Sequence, residues 1–252
     1  YKRQMLFTGC SKKAESKVPD KLIVGTNAEF PPFEYMNDKK QPEGFDIAMI
    51  KEIGKRMGKK VEIKNMEFKS LIGAMESDSI NAIIAGMTKT EKREKAVDFS
   101  DSYYTTNQAI ILKKDSKITK LAQLDGKKIG VQEGTTGDLI SSGDKFGDGK
   151  KAKVLVKGAK VKRFKKGVDA VMDLKNGSVD AVVIDELTAN EFVKKNAKKL
   201  KIVIDSAGSE YYCIALTKGN TAYKEEVNKQ IKAIKEDGTY DKLKAKYIDS
   251  KN

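Results

Sequence analysis

Ile80-Asn81-Ala82-Ile83-Ile84 and Val179-Asp180-Ala181-Val182-Val183 carry one pattern twice: a branched apolar residue, Asn or Asp, Ala, then two branched apolar residues. Each follows an amphipathic stretch, residues 69–77 in the first case and 167–176 in the second. A short apolar run behind a helix reads as a buried strand reached by a crossover, the unit that builds parallel sheets. Working back from the first copy, the pattern predicts a strand at 22–25, then a helix over 45–58 with Ile47, Ile50, Ile53 and Met57 on one stripe and Gly58 ending it. A strand at 61–65 and the helix at 69–77 complete a βαβαβ unit. Around the second copy, strands are expected at 129–132, at 153–156 or a little later, and at 179–184, with helices over 136–142 and 167–176. Two similar α/β lobes follow from this reading, although convergent strand composition also produces matches this short.

Two extended segments, 107–113 and 211–218, flank the second set on both sides. If that set is inserted into the first, they are the two crossings between lobes. The C-terminal helix carries Val227, Ile231 and Ile234 on one face and stops near Gly238, and a shorter helix carries Tyr240, Leu243 and Tyr247. Both would complete lobe one. The expected division is 21–106 plus 213–252 for lobe one and 107–212 for lobe two, hinge crossings included, with 1–20 outside both.

Composition excludes much chemistry. The 252 residues are 39% hydrophobic, with no apolar run near the roughly 18 residues of a membrane span. Lys and Arg number 50 against 36 Asp and Glu, a net charge of +14, but the lysines are scattered. The densest stretch, 150–166, alternates with apolar residues as a solvated strand and its flanks would, so no nucleic-acid partner is expected. His is absent and Cys occurs twice, which rules out a His-based triad, a His metal site and a framework of several disulfides. No metal and no cofactor is expected. Cys213 lies in an apolar run and reads as a buried, inert thiol. Cys10 follows Leu6-Phe7-Thr8-Gly9 and precedes a polar stretch. That pattern resembles a bacterial lipobox, with Cys10 as the lipidated residue; a stray cysteine in a tail is the alternative.

In open α/β sheets ligands bind beyond the carboxyl ends of the strands. The residues there are Asn27, Glu29 and Phe30 after the first strand, Phe68 after the second, and Gly86, Met87 and Thr88 after the third, with Arg93 just beyond. In the second set they are Gln132, Thr135 and Thr136, and Asp185. A zwitterionic amino acid needs a cation for its carboxylate and an anion for its ammonium, and Arg93 and Asp185 offer both from opposite lobes. Thr88 and Thr136 add hydroxyls and backbone N–H groups. Taken singly, Arg93 and Asp185 read more readily as surface charges, and Phe30 and Phe68 as readily as core.

The motifs VGTNAEFPPFEY from Val24, GFDIAMIKEIGKRMG from Gly44 and INAIIAGMTKTEKREKAVDFSDSYY from Ile80 occur in order with LDGKKIGVQEGTTGD from Leu124, VDAVVIDE from Val179 and YYCIALTKGN from Tyr211. Together they resemble the polar amino-acid-binding proteins of bacterial ABC importers, over about residues 21–248. The resemblance implies a two-lobe, type II periplasmic-binding-protein fold hinged by two strands, which closes on a free amino acid without chemistry. It implies that Arg93 holds the ligand carboxylate with Thr88 and Thr136, while Asp185, the Gly86 carbonyl and the Thr88 hydroxyl hold the ammonium. Phe30 and Phe68 would sandwich the side chain, and Asn27, Glu29 and Gln132 would discriminate among side chains. Many family members carry Asp where this chain has Asn27, which removes one negative charge from that end. Arginine is the favoured ligand, since an aromatic pair suits a planar guanidinium and Glu29 could supply a counter-charge. Glutamine is the main rival; histidine, lysine and cystine remain open. The implied partners are an ABC permease and, through a lipid anchor, the outer face of the cytoplasmic membrane, with a monomeric chain. The alternatives are a dehydratase-type enzyme on the same fold, with Glu133 or Glu29 as general acid, and a ligand-sensing receptor module.

Overall fold

A computed structural model describes residues 16–146, 153–194 and 196–249. In chain order the strands are β1 (Lys21–Thr26), β2 (Glu29–Phe30), β3 (Glu34–Met36), β4 (Pro42–Glu43), β5 (Lys60–Asn65), β6 (Ala82–Ile83), β7 (Val97–Lys113), β8 (Lys128–Gln132), β9 (Lys145–Phe146), β10 (Lys153–Val154), β11 (Lys160–Phe164), β12 (Ala181–Asp185) and β13 (Leu200–Thr217). The helices are α1 (Phe45–Arg56), α2 (Leu71–Glu76), α3 (Glu91–Glu94), α4 (Thr136–Ser141), α5 (Gly167–Asn176), α6 (Glu186–Lys194), α7 (Thr221–Glu236) and α8 (Thr239–Tyr247).

The main sheet runs β11-β8-β12-β7-β13-β6-β1-β5. Its two flanks repeat one arrangement. On one side β1 lies between β5 and β6, parallel to both, and on the other β8 lies between β11 and β12, parallel to both. Crossover helices make that possible, since parallel neighbours cannot be joined by a tight turn. Between the flanks run the two long strands, β7 and β13, antiparallel to each other from Val97↔Thr217 to Lys113↔Leu200. β13 joins β6 near Ala215, while β7 joins β12 near Ile110, so one pair of strands is the spine of both halves. The ladder between them breaks register between Asp205 and Glu210, opposite Thr106 to Gln108. A register break there loosens the pairing midway between the halves.

Of the apolar stripe expected in α1, Ile47, Ile50 and Ile53 are buried, with Phe45 and Met49 beside them, while Met57 is half-buried just past the helix end and Gly58, at φ +65°, follows. α7 buries Tyr223, Val227, Ile231 and Ile234 and packs with α1 and α8 on the same half. In the second half α5 buries Ala170, Val171 and Leu174 against β8 and β12. Cys213 is buried and unpaired, as expected. Among the described residues no helix is long and apolar enough to cross a membrane.

Several boundaries differ from the sequence reading, each for a local reason. The extended segments at 107–113 and 211–218 are the ends of much longer strands, which polar residues had interrupted as a pattern. The third strand of the second half is β11, the later of the two positions, because Lys153–Val154 pairs antiparallel with Lys145–Phe146 instead of joining the main sheet. The Ile80 run keeps only two ladder residues in β6, although Ile80, Ile83 and Ile84 are fully buried. Helix α6 and the small β2-β3-β4 sheet were not anticipated at all.

Candidate functional site

The carboxyl ends of β1, β6, β8 and β12 converge on one enclosed cavity between the two halves of the sheet. Its walls are Asn27, Phe30, Phe68, Ala85, Gly86, Thr88, Arg93, Gln132, Thr135, Thr136 and Asp185. Ten of the twelve residues picked from the sequence are therefore brought together. The cavity measures about 10 Å³, the minimum for one water, so anything larger enters only when the halves part.

Arg93 sits in the one-turn helix α3, whose start is fixed by the Thr90 hydroxyl accepting from the Arg93 backbone N–H. Its guanidinium is buried and spans the cleft. One nitrogen donates to the Thr88 carbonyl at 2.5 Å, and the other to the Gly134 carbonyl, on the opposite half, at 3.0 Å. The group lies 5.3 Å from the centre of the Phe68 ring. Burial lowers its pKa to about 10, and it stays charged at neutral pH.

Asp185 ends β12 and is equally buried. It accepts from Gln108 Nε2 at 2.8 Å and from the Tyr212 hydroxyl. Burial, then the negative charge of Glu210, pushes its carboxyl up to about 8. Glu210 was not anticipated. It lies on β13 where the register breaks, it is 1% exposed, and it accepts from Thr88 Oγ1 at 2.5 Å, Thr136 Oγ1 at 2.7 Å and Gln108 Nε2 at 2.7 Å. Burial raises its pKa as well. A lone acid ahead of Tyr211-Tyr212 reads as a surface residue; only the register break brings it inward.

Gly86 has φ +52°, a conformation side chains disfavour, and a Cβ there would meet the Phe30 ring at 3.1 Å. Its N–H donates at 2.8 Å to Asp46 Oδ2, which also accepts from the Tyr103 hydroxyl at 2.6 Å. Asp46 is wholly buried, and burial pushes its carboxyl up to about 6. This residue, absent from the sequence reading, anchors the loop that carries Gly86 and Thr88. Across the cleft, Gln132 Nε2 donates to Asn27 Oδ1 at 2.7 Å, while Asn27 Nδ2 is held by the Met66 carbonyl at 2.8 Å. Gln132 Oε1 is buried without a partner.

Glu29 and Met87 do not reach the cavity. The Glu29 carboxylate is turned outward and paired with Lys166 at 2.6 Å, so it is not the counter-charge expected at the ligand's side-chain end. Met87 alternates away from Gly86 and Thr88 and packs with Leu71, Ile83 and Phe99. Glu133 pairs with Lys69 at 2.8 Å on the rim, and Glu67 with Lys165 at 2.7 Å. Both carboxylates named for the dehydratase alternative are thus tied up outside the cavity. Among the described residues no cluster of His, Cys, Asp or Glu is arranged to hold a metal ion. Cys10, the lipidation candidate, lies outside the described residues.

A fold of two sheet halves on a shared pair of strands, with a buried cation and anion facing each other across the cleft, is that of a hinged solute-binding protein. The family model for bacterial extracellular solute-binding proteins, family 3, matches residues 22–250, and the chain belongs to that family. The arginine-binding extracellular protein ArtP of Bacillus subtilis (strain 168) is 34% identical over 243 residues, 95% of this chain and 91% of that protein. Among solved structures, an ancestral arginine-binding protein bound to arginine superposes with a TM-score of 0.79 and 40% identity, over 92% of this chain and 100% of that one. An ancestral arginine-binding protein bound to glutamine gives 0.80 and 41%, over 92% and 99%.

Proposed function

We propose that this protein is the extracytoplasmic substrate-binding component of an amino-acid ABC importer, and that it closes on a free amino acid, arginine by preference. The observation that carries the reading is the pair of buried, opposite charges, Arg93 and Asp185, offered to one cavity from opposite halves of the molecule. Arg93 takes the α-carboxylate, its planar fork making two parallel bonds, and Asp185 takes the α-ammonium with the Gly86 carbonyl. Each charge-assisted bond contributes about 1.5–3 kcal/mol, so a few together outweigh the cost of closure. Phe30 and Phe68 flank the side chain, and the free acceptor of Gln132 suits a donor-rich end such as a guanidinium.

The lobes are 21–106 with 213–252, and 107–212, hinged where β7 and β13 lose register. Ligand binding bridges them and stabilises the closed form that a permease recognises. Lipidation at Cys10 would hold the chain, as a monomer, at the outer face of the membrane. No bond is made or broken, and the rim ion pairs of Glu29 and Glu133 leave the dehydratase alternative without its acid. The test is thermal unfolding with each of the twenty amino acids and cystine in turn. At 100 times its Kd a ligand stabilises by about 2.7 kcal/mol, and arginine is expected to give the largest upward shift in Tm. No shift with any of them overturns the reading.

A further inference from the structure

We infer that Glu210 is a specificity-determining residue of this cleft: it commits the Thr88 and Thr136 hydroxyls to accepting hydrogen bonds and gives the floor an excess negative charge, selecting cationic over neutral amino acids. The inference deepens the amino-acid reading above and rests on it.

A threonine hydroxyl has one proton. Thr88 and Thr136 both spend theirs on Glu210 Oε2, at 2.5 and 2.7 Å. What each oxygen then shows the cavity, whose wall both residues form, is a lone pair, Thr136 Oγ1 having used its other one on a long bond from Gln108 Nε2 at 3.2 Å. Lone pairs welcome an ammonium and repel a carboxylate. Of the roles expected for these residues, the geometry favours the Thr88 hydroxyl facing the ammonium, while the carboxylate, for which Thr88 and Thr136 were also expected, is left to Arg93 and backbone N–H groups.

The buried charged side chains that line the cavity or bond directly to its lining side chains are Arg93 from α3, Asp185 from β12 and Glu210 from β13; Asp46, behind Gly86, and Glu34, hydrogen-bonded to Asp46, lie one layer further back. Tyr212 donates to Asp185, Gln108 donates to both acids, and neither adds a charge when in its ordinary form. With both acids ionised, the sum is one negative charge in excess. A zwitterion with a neutral side chain leaves that excess in place; a ligand carrying one further positive charge cancels it. A buried net charge is costly, so the cationic ligand is favoured. Asn27 is neutral and contributes nothing to this balance, which places the discrimination at Glu210.

Burial raises both carboxyls, and the charge of Glu210 lifts Asp185 further, to about 8, so the empty site holds a proton near neutral pH. A cationic ligand displaces it. Binding of arginine is therefore accompanied by proton release, and binding of glutamine by less.

The experiment is isothermal titration of arginine, lysine and glutamine into the wild-type chain and into Glu210→Gln and Glu210→Asp, each in phosphate and in Tris at pH 7. Wild type is expected to prefer arginine or lysine to glutamine, with heats that differ between buffers by the protons released. Glu210→Gln, which keeps the size of the side chain and one acceptor oxygen for the two threonine hydroxyls while removing the charge, should lower the cation-to-glutamine affinity ratio about tenfold or more and reduce the proton release. Glu210→Asp should restore part of both. Equal losses for cations and glutamine, or an unchanged ratio and proton release, would show a merely structural role and overturn the inference while leaving amino-acid binding intact. If wild type binds none of the three, the underlying reading fails and this inference with it.

Discussion

At the scale of single residues, the cleft is defined by charges kept out of water. Asp185 shows what that costs. Its carboxyl, at about 8 in the folded chain against an ordinary value near 3.8, holds its proton more tightly folded than unfolded. Its contribution to stability is thus full at low pH and lost as pH rises from about 4 to about 8. In the empty protein Asp185→Asn should flatten this decline and raise Tm above neutral pH, while binding of arginine falls about a hundredfold or more. Thermal unfolding between pH 5 and 9, paired with titration, checks both. A Tm profile identical to wild type would mean that Asp185 carries no buried charge. Arg93 and Asp185 were legible in the sequence because they sit at the ends of recognisable elements, one after the Gly86 loop and one closing an apolar strand. Glu210 and Asp46 were not. Both lie in elements whose neighbours point inward, and their burial depends on β7, β13 and α1 meeting, which no local pattern records.

At the scale of elements, each half of the sheet was legible where a strand and its crossover helix have matching periods. α1, α5 and α7 fall close to their expected places because their apolar stripes have no competitor. The long strands were read short because Thr105, Thr106 and Asn107 interrupt the apolar run of β7. The polar face of α6, with Glu186, Asn190, Glu191 and Lys194, left too narrow a stripe to be noticed. Three ion pairs cross the cleft at its rim: Glu29–Lys166, Glu67–Lys165 and Lys69–Glu133. All are partly exposed and screened by salt, so they trim the closed form without holding it. Lys166→Glu is expected to weaken arginine binding by less than about fivefold, and by less still at high salt, in titrations at two ionic strengths. A loss comparable to that of Asp185→Asn would move the centre of recognition to the rim.

At the scale of the molecule, two halves share a pair of strands and meet over a cavity of about 10 Å³ that the ligand must first open. The mechanism needs no rigid-body contact beyond this. In the proposed mechanism the ligand supplies the bridge between Arg93 on one side and Asp185 on the other, and its affinity is the bridge's energy less the cost of closing. The most direct test of that account is calorimetric titration of arginine into the wild-type chain and into Arg93→Ala. A single site of micromolar or tighter affinity in wild type, nearly abolished in a variant that unfolds at a similar temperature, is the expected result. Unchanged affinity in Arg93→Ala, or no heat in wild type, would contradict it.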